Sequence, residues 1–245
     1  MQKQTSQKLI AAIKKFFSSQ KKERAVVGLS GGIDSALVLA LLVKALGEQN
    51  VTALIMPNTQ ITKEQNVIDA QNLANKLNVA HFSIEIDNLL HAFSTLPWEQ
   101  TPIARANLNA RVRALILYNF ANSTNCLVAG TGNKSEFYMG YFTKYGDGAA
   151  DFFPIGSLLK KEVRQLALEL DLPQEFLQKV PSAELWSDQA DEKEMDISYN
   201  ELDELLPLIL EGKKIPKSKQ ELAKKIKKAI ASTEHKRTPA PILTI

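Results

Sequence analysis

Short runs rich in apolar residues alternate with helical patterns over the first 130 residues, and this alternation constrains the fold more than any other feature. These runs are interpreted as buried strands and occupy residues 25–29, 51–56, 81–86 and 126–130, of which the third also contains His81, Ser83 and Glu85. The helical patterns before and between them cover about 9–17, 35–46, 62–77 and 103–122. Strands that are apolar on both faces indicate a parallel sheet covered by helices on each side. We therefore predict an α/β fold with a doubly wound, mainly parallel sheet and helices on both faces.

The sequence changes character after Gly130. Residues 131–157 are rich in Gly, Asp, Lys, Thr and Tyr, and polar loops of this length are usually functional. Helical patterns then return at 158–170, 198–210 and 217–230. These patterns predict a helical C-terminal elaboration. The acidic stretch 187–196 is predicted to be a lid, although a passive surface loop explains it equally well.

Length and composition fit a single domain. With 245 residues, 44% of them apolar and 23% charged, the chain can form one substantial core. We predict one domain over 1–245, in which 1–150 form the sheet core and 151–245 form an elaboration that does not fold alone. The single cysteine, Cys126, lies in an apolar run and excludes an internal disulfide. We therefore expect Cys126 to be a core residue and the protein to be cytoplasmic.

The lysine-rich C-terminal stretch allows two interpretations. Eight lysines fall between Lys213 and Lys228, which would suit an RNA-binding surface. Apolar residues recur at helical spacing in the same stretch, namely Leu222, Ile226, Ala229 and Ile230. We therefore expect the lysines to form the solvated face of a packed helix, with no nucleic-acid partner. No apolar run approaches the roughly 18 residues that span a bilayer, so no membrane partner is expected either.

A glycine-rich stretch joins the first predicted strand to a helix. From Gly28 to Ser35 it runs Gly-Leu-Ser-Gly-Gly-Ile-Asp-Ser, so that backbone and hydroxyl groups can surround an anion at a helix start. The mononucleotide loop G-x-x-x-x-G-K-[ST] is excluded because no lysine precedes the hydroxyl. The dinucleotide motif G-x-G-x-x-G fails because Ser30 replaces its second glycine. A plain Gly-Gly turn with Ser35 as a helix cap is the alternative without a ligand.

Asp34 is unexpected next to a phosphate unless a divalent cation lies between them, since carboxylates and polyphosphates share hard cations. The stretch resembles the PP-loop of enzymes that split ATP into AMP and pyrophosphate. Amidating synthetases, argininosuccinate synthetase and tRNA-thiolating enzymes all carry versions of this loop. The resemblance therefore implies that an acceptor oxygen attacks the α-phosphorus of ATP, but it does not identify the acceptor.

Later stretches of the sequence indicate which of the enzymes with a PP-loop the chain resembles. Glu136 follows the fourth predicted strand, at the edge of the sheet where Asp34 also lies, and is a candidate second metal ligand; a favourable first-turn helix charge is the alternative. The stretches around and beyond it resemble ammonia-dependent NAD synthetase over about 5–240. They are Gly-Thr-Gly-Asn-Lys-Ser-Glu at 130–136, Lys-Tyr-Gly-Asp at 144–147, Pro-Ser-Ala-Glu-Leu-Trp at 181–186, Asp-Ile-Ser-Tyr at 196–199 and Glu-His-Lys-Arg at 234–237. One departure is Ala106, where the family often has glycine.

The resemblance implies a reaction and its participants. The family has the adenine nucleotide alpha hydrolase-like fold and amidates the nicotinate carboxylate of deamido-NAD with ammonia. The reaction passes through an adenylate and gives NAD, AMP and pyrophosphate, as the last step of NAD biosynthesis. ATP as co-substrate, Mg²⁺ as cofactor and a second copy of the chain as partner are implied with it.

Carried over to the matching positions, the family pattern assigns residues to roles. It assigns ATP binding to Gly28, Leu29, Ser30, Gly31, Gly32, Ile33, Asp34, Ser35, Thr131, Lys160 and Ser182. It assigns magnesium to Asp34 and Glu136, and deamido-NAD to Arg111, Lys144, Asp151, His235 and Lys236. The predicted catalytic residues are Asp34, Glu136, Lys160 and Asp151. Met56 ends the second predicted strand and offers an apolar wall for adenine, unless it is a plain core residue.

Free ammonia is the expected nitrogen donor, unless a separate subunit delivers it, because a glutamine-hydrolysing domain would need its own nucleophilic cysteine and considerable further sequence. We expect Asp151 to attract ammonium beside the adenylate. A tRNA-modifying enzyme of the same superfamily is the first rival function, but it would typically carry a catalytic cysteine pair. A non-catalytic nucleotide sensor is the second rival, and it would not need Asp34 and Glu136.

Overall fold

A parallel sheet lies at the centre of the computed structural model, which describes residues 3–179 and 191–244. Within these residues the sheet has four strands, with the spatial order β3-β2-β1-β4 and every pairing parallel. The strands are β1 (Ala25–Gly28), β2 (Val51–Ile55), β3 (Ala80–Ser83) and β4 (Leu127–Ala129). Each overlaps a predicted strand, so the predicted strands are present but shorter. The prediction that all of them are buried is wrong for β3, which is an edge strand with largely exposed side chains.

Helices connect the strands and continue after the sheet. They are α1 (Lys3–Gln20), α2 (Ile33–Leu46), α3 (Glu64–Lys76), α4 (Asp87–His91), α5 (Pro102–Thr124), α6 (Lys134–Met139), α7 (Lys160–Glu169), α8 (Gln174–Gln178), α9 (Asp191–Met195), α10 (Tyr199–Leu210), α11 (Gln220–Ser232) and α12 (Glu234–Arg237). Short 3₁₀ turns cover Glu48–Asn50, Ala92–Thr95 and Lys217–Lys219. In the described part of the chain, no helix is both long and apolar enough to cross a membrane.

Side chains alternate between two apolar layers along each central strand. Val27 of β1 packs in one layer with α1, α2, α3 and α7. The neighbouring Val26 points to the opposite layer, where it packs with α5 and Cys126. This alternation follows from the pleat of a strand, which sends successive side chains to opposite faces. The doubly wound α/β fold predicted from the sequence is therefore confirmed, and Cys126 is a buried core residue as predicted.

Helix α2 is apolar around most of its circumference, which fits its position in the structure, where other elements cover it on several sides. Ten of its residues are buried, from Ile33 to Ala45. It contacts the sheet together with α1 and α7. Gly47 ends the helix with a φ of 84°, a conformation that suits glycine. The burial of α2 fixes the position of its first turn, which follows the glycine-rich stretch.

The C-terminal helices divide between two apolar clusters. Val163 and Leu166 of α7 belong to the same core as the sheet. Residues of α10 and α11 form a second cluster with α6, in which Leu202 and Ile226 are fully buried. The lysine-rich helix α11 thus packs through its apolar face, as predicted. The division of the chain near residue 150 stays a prediction, but the main core continues past it into α8.

Candidate active site

The site lies at the carboxyl ends of β1 and β4, where the order of the strands reverses. The connection after β1 leads to β2 on one side, whereas β4 lies on the other side of β1. A crevice forms at such a switch point in open α/β sheets, and ligands commonly bind there. A cavity of about 680 Å³ occupies this position and is lined by both the loop after β1 and the loop after β4.

The loop after β1 is held in shape by its own serines. The backbone N–H of Ser30 donates to the Ser35 hydroxyl at 3.2 Å, and that hydroxyl donates to the carbonyl of Gly32 at 3.0 Å. Gly31 has a φ of +82°, and a Cβ there would lie 2.4 Å from the carbonyl oxygen of Asn66. Glycine is therefore required at this position. Among the described residues no side chain caps the start of α2, so its first N–H groups are available to a ligand next to the loop.

Lys179, which also lines the cavity, supports the same loop. Its ammonium group donates to the carbonyl of Gly31 at 2.9 Å and pairs with the carboxylate of Asp69 at 2.5 Å. Asp69 is buried on α3, so the loop is tied to that helix. Sequence reasoning missed Lys179, because nothing in its local pattern distinguishes it from a surface lysine.

The ammonium group of Lys160 lies between two carboxylates. Its Nζ is 2.5 Å from Asp34 Oδ2 and 3.0 Å from Glu136 Oε1. Only 2% of the Lys160 side chain is exposed. The three residues come from α2, α6 and α7, so this ion cluster joins the starts of three helices. The predicted proximity of Asp34 and Glu136 is present in the structure.

Asn133 fixes the two carboxylates relative to each other. Its side-chain amide donates to Asp34 Oδ1 at 2.9 Å, and its Oδ1 accepts the backbone N–H of Glu136 at 3.1 Å. Asn133 and Glu136 also form a reciprocal capping box at the start of α6. The amide lay inside the quoted 130–136 stretch, but its role was not predicted.

The cluster carries more carboxylates than cations. Asp191 is buried beside it, and Asp191 Oδ1 has no hydrogen-bond partner among the described residues. Burial raises the pKa of Glu136 to about 7, and the charges of Asp34 and Asp191 add to this while Lys160 opposes it. Burial alone would lower the pKa of Lys160, but the two carboxylates that contact it raise the pKa above its ordinary value. The site therefore favours additional positive charge.

Tyr199 and Asp191 complete the inner wall. The Tyr199 hydroxyl donates to Asp191 Oδ2 at 2.9 Å and lies 3.3 Å from Glu136 Oε1, while Lys160 Nζ lies 5.1 Å from the centre of the tyrosine ring. Sequence reasoning assigned no role to either residue, although Tyr199 ends the Asp-Ile-Ser-Tyr stretch. The predicted acidic loop is helical over 191–195, and its residues 187–190 lie outside the described residues.

The side chains at this site could bind magnesium only together with ligands that do not come from the protein. Among residues 3–179 and 191–244, no group of three or more His, Cys, Asp or Glu side chains is arranged to hold a metal ion. Mg²⁺ is often held by one or two carboxylates together with phosphate oxygens and water. Asp34 and Glu136 supply two carboxylates next to the glycine-rich loop, and the surplus negative charge suits a divalent cation. The residues present therefore fit a magnesium ion that arrives with a polyphosphate.

The structure brings nearly all of the predicted ATP-binding residues to the cavity. Those that line it are Gly28, Leu29, Ser30, Gly31, Gly32, Ile33, Asp34, Ser35, Met56, Thr131 and Lys160. Met56 lies beside Leu54 at the end of β2, and its carbonyl accepts Arg113 Nε at 2.9 Å. Ser182 lies outside the described residues. An apolar wall and a phosphate loop thus face one space, which a nucleotide could occupy.

The residues predicted to bind deamido-NAD are split between two places. Lys236 lines the cavity and donates to the carbonyls of Gly140 and Phe142 at 2.7 and 2.8 Å. Arg111 donates to the carbonyl of Lys144 at 3.4 Å, and the Lys144 ammonium donates to the carbonyl of His235. These last three residues contact one another but do not line the cavity in the described structure.

Asp151 lies apart from the cavity. Its carboxylate accepts the backbone N–H of Val128 at 2.7 Å and lies 3.4 Å from the Tyr118 hydroxyl. Asp147, four residues earlier, lines the cavity instead, and its carboxylate accepts the N–H of Thr143 at 2.8 Å. The surrounding cavity walls desolvate the carboxylate and raise the pKa of Asp147, although its side chain remains accessible to solvent, and the hydrogen bonds from Thr143 oppose this rise. Of these two aspartates of the loop, Asp147 lines the cavity and Asp151 does not, and the role of Asp151 stays a prediction.

This combination of fold and site is that of the PP-loop enzymes, which bind ATP at the carboxyl ends of their strands. A family model described as NAD synthase matches residues 5–240. The NH(3)-dependent NAD(+) synthetase of Archaeoglobus fulgidus is 48% identical over 228 residues, which cover 93% of this chain and 91% of that protein.

Solved structures agree with the family model. An NH3-dependent NAD synthetase from Campylobacter jejuni superposes with a TM-score of 0.83 at 34% identity, covering 100% of this chain and 99% of that one. The NMN synthetase of Francisella tularensis superposes with a TM-score of 0.89 at 39% identity, with the same coverage of 100% and 99%.

The chain belongs to the NAD synthase family. The family predicted from the sequence is therefore confirmed, and with it an ATP-using, ammonia-dependent ligase of NAD biosynthesis. The match also decides against the tRNA-modifying and nucleotide-sensor alternatives. The roles of the individual site residues stay predictions.

Replacing Lys160 by methionine is expected to destabilise the folded protein at pH 8 by about 3 kcal/mol, because Asp34 and Glu136 then face each other without a cation. Lys160 lowers the pKa of Glu136, so its removal raises that pKa further. When a carboxyl has a higher pKa in the folded than in the unfolded protein, the folded protein becomes less stable as the pH rises. The destabilisation caused by Lys160→Met is therefore expected to be smaller at pH 5 than at pH 8. Urea unfolding in EDTA at both pH values measures this.

The exposed neighbour Lys161 offers a matched control, since Lys161→Met removes an ammonium group from the same helix turn outside the cluster. It should change stability by less than about 0.5 kcal/mol. Adding Glu136→Gln to Lys160→Met should recover part of the stability. An equal loss at pH 5 and pH 8 would contradict the charge explanation.

Proposed function

We propose that the chain amidates the nicotinate carboxylate of deamido-NAD with ammonia, using ATP and passing through an adenylate. One observation supports this proposal most directly. The glycine-rich loop, the Lys160 cluster and Lys236 line a single cavity of about 680 Å³. Membership of the NAD synthase family supports it. Cavities of this size hold a substrate and bury most of its surface.

The proposed reaction has two steps. A carboxylate oxygen of deamido-NAD attacks the α-phosphorus of ATP, the bond to the bridging oxygen of the β-phosphate breaks, and pyrophosphate leaves. Ammonia then attacks the activated carbonyl carbon, loses a proton, and displaces AMP, which keeps the oxygen that made the attack. The protein needs no nucleophile of its own, so its contribution is positioning, charge neutralisation and exclusion of water.

The residues around the phosphate loop suit the first step. The serines and the helix start of the loop would hold the phosphates, and Lys160 would neutralise charge that develops as pyrophosphate leaves. Asp34 and Glu136 would hold Mg²⁺, which supplies further charge neutralisation when bound. The same cation would offset the carboxylates that now contact Lys160.

A second substrate is favoured by one comparison. The Francisella tularensis protein is called an NMN synthetase, and its similarity to this chain extends over the full length. The chemistry is the same when the acceptor is the mononucleotide of nicotinate, because the reacting carboxylate is unchanged. The two substrates differ only in the adenylyl part, which lies away from that carboxylate.

A direct assay tests the function and separates the two substrates. With ATP, Mg²⁺ and ammonium, we expect AMP and pyrophosphate release that depends on deamido-NAD, and a higher kcat/KM for it than for nicotinate mononucleotide. Substrate labelled with ¹⁸O in the carboxylate should transfer label to AMP. A higher kcat/KM for the mononucleotide would favour the second candidate, and unlabelled AMP would contradict the adenylate.

The carboxylate that attracts ammonium is proposed to be Asp147 rather than Asp151. Asp147 lines the cavity near Lys236, whereas the Asp151 carboxylate is bonded to the backbone of β4. We expect Asp147→Asn to raise the KM for ammonium about tenfold, as loss of one charged hydrogen bond would, with little change in the KM for ATP. Asp151→Asn is the matched control and should leave the KM for ammonium within about twofold. The reverse result would restore the role predicted for Asp151.

A homodimer is proposed from the distribution of exposed apolar side chains. Several lie on α5, on the edge strand β3 and between them, namely Phe82, Leu89, Phe93, Trp98, Ile103 and Leu115. The rings of Phe82 and Phe120 are 5.9 Å apart, so β3 and α5 contribute to one surface. Apolar surface of this kind is typical of contacts between subunits, and the family resemblance implies a second copy of the chain.

Leu115→Lys is expected to dissociate this dimer, because it buries an unpaired charge in the apolar contact. Leu115 is 67% exposed in the single chain, and Leu168 of α7, 57% exposed, is the matched control. Light scattering after size exclusion should give a monomer for Leu115→Lys and a dimer for Leu168→Lys. A dimer in both variants would show that the subunits contact each other through a different surface.

A cytoplasmic location also stays a proposal. It is supported by the single buried cysteine, since proteins of oxidising compartments more often carry disulfides. Fractionation of cells that express the full chain would test it.

A further inference from the structure

Asp203 is a buried carboxylate to which none of the roles above applies. It lies on α10, one helical turn after Tyr199, and is 1% exposed. An ionisable side chain is seldom buried to this degree without strong partners. Its partners therefore indicate what it does.

Both oxygens of Asp203 contact the starts of other helices. Oδ2 accepts the backbone N–H of Lys161 at 2.7 Å, in the first turn of α7. Oδ1 accepts the hydroxyl of Ser135, which lies in the first turn of α6 and is fully buried. The Ser135 oxygen in turn accepts the backbone N–H of Lys160 at 3.1 Å. One carboxylate thus joins the first turns of two helices.

These two turns carry the side chains that meet in the active site. Glu136 follows Ser135 directly, and Lys160 precedes Lys161. Their side chains are 3.0 Å apart on the cavity side of the helices. The hydrogen bonds to Asp203 hold the backbone behind the same pair of residues. A further bond, from the N–H of Lys134 to the carbonyl of Leu158 at 2.8 Å, joins the same segments without a side chain.

Tyr199 contacts the same pair from the same helix. Its hydroxyl lies 3.3 Å from Glu136 Oε1, and its ring lies 5.1 Å from Lys160 Nζ. Residues four apart on a helix share one face, so Tyr199 and Asp203 are presented together by α10. The face of α10 thereby supports both the side chains and the backbone of Glu136 and Lys160.

We propose that Asp203, acting through Ser135, is a positioning residue that sets the separation of Glu136 and Lys160 by joining the first turns of α6 and α7. It does not itself touch a substrate. The inference rests on the proposed function only in that Glu136 and Lys160 act on ATP and its metal ion. Small displacements of such groups are costly, since misplacement by about 1 Å can lower a rate about 100-fold.

The alternative is that Asp203 only stabilises the start of α7, as carboxylates at helix starts commonly do. That role predicts a loss of folded protein without any change in the kinetics of the protein that remains folded. Positioning predicts a change in how the folded enzyme responds to ATP and magnesium, but not in its response to ammonium. The two roles are therefore separable by measurements on folded protein.

The experiment compares Asp203→Asn and Ser135→Ala with Glu201→Gln. Glu201 lies on the same helix and caps its start through Ser198, but it is exposed and contacts neither α6 nor α7. For each variant, kcat and the KM values for ATP, Mg²⁺ and ammonium are measured below the unfolding temperature. The change in Tm on adding Mg²⁺ and ATP, without deamido-NAD, is measured separately.

For Asp203→Asn we expect kcat/KM for ATP to fall about 10- to 100-fold, a higher half-saturating Mg²⁺ concentration, and a smaller shift of Tm with Mg²⁺ and ATP. The KM for ammonium should stay within about twofold. Ser135→Ala should change the same quantities several-fold in the same direction, and Glu201→Gln should change none of them. If Asp203→Asn does not fold, the kinetics and the Tm shift of Ser135→Ala test the proposal.

Unchanged ATP and Mg²⁺ dependence in the folded variants would overturn the proposal. The binding measurement also keeps it distinct from the proposed function. If the unsubstituted protein shows no turnover with deamido-NAD, the proposed function fails, while the shift of Tm with Mg²⁺ and ATP still reports whether Asp203 positions the site.

Discussion

The buried contact of Lys160 with Asp34 and Glu136 is the interaction on which the arrangement of the site depends. It joins residues that are 126 and 24 positions apart in the chain and brings the starts of α2, α6 and α7 to one point. An ammonium group so little exposed is stable only because two carboxylates surround it. The carboxylates in turn carry surplus negative charge. A site that binds a polyphosphate together with a cation needs such charge, because the carboxylates can bind the cation. Binding and folding thus use the same charges.

The sequence was informative wherever the signal was local. The apolar runs predicted the strands, and the glycines and serines after the first run predicted the phosphate loop, because strand burial and tight turns are decided within a few residues. The parallel, doubly wound arrangement then followed from general rules on α/β sheets, but the order of the strands was not predicted. Asp34 and Glu136 could be predicted as neighbours for the same reason, since both follow strand ends at one edge of the sheet.

The sequence was less informative where a role depends on distant contacts. Tyr199 and Asp203 contact residues that lie 63 and 68 positions away, and no local pattern indicates those contacts. Asp151 shows the opposite problem, because its pattern is specific but its carboxylate bonds to the backbone of β4. A bridge between Ala129 and Phe152 continues this pairing, so residue 151 is held at the sheet edge. The backbone geometry decides which aspartate of the loop reaches the cavity.

The C-terminal helices are best understood as part of the site rather than as an addition to it. A buried ion cluster contributes little net stability, because desolvation of the charges offsets their attraction. The ion cluster sets where the helix starts meet, but other interactions must supply the stability that holds them there while the charges stay available for a ligand. The apolar cluster of Leu202, Leu206 and Ile226 does this, since it packs α10 and α11 against α6 and brings a face of α10 to the charged pair. Stability is supplied by apolar packing, and the ion cluster is left free to exchange one positive charge for another.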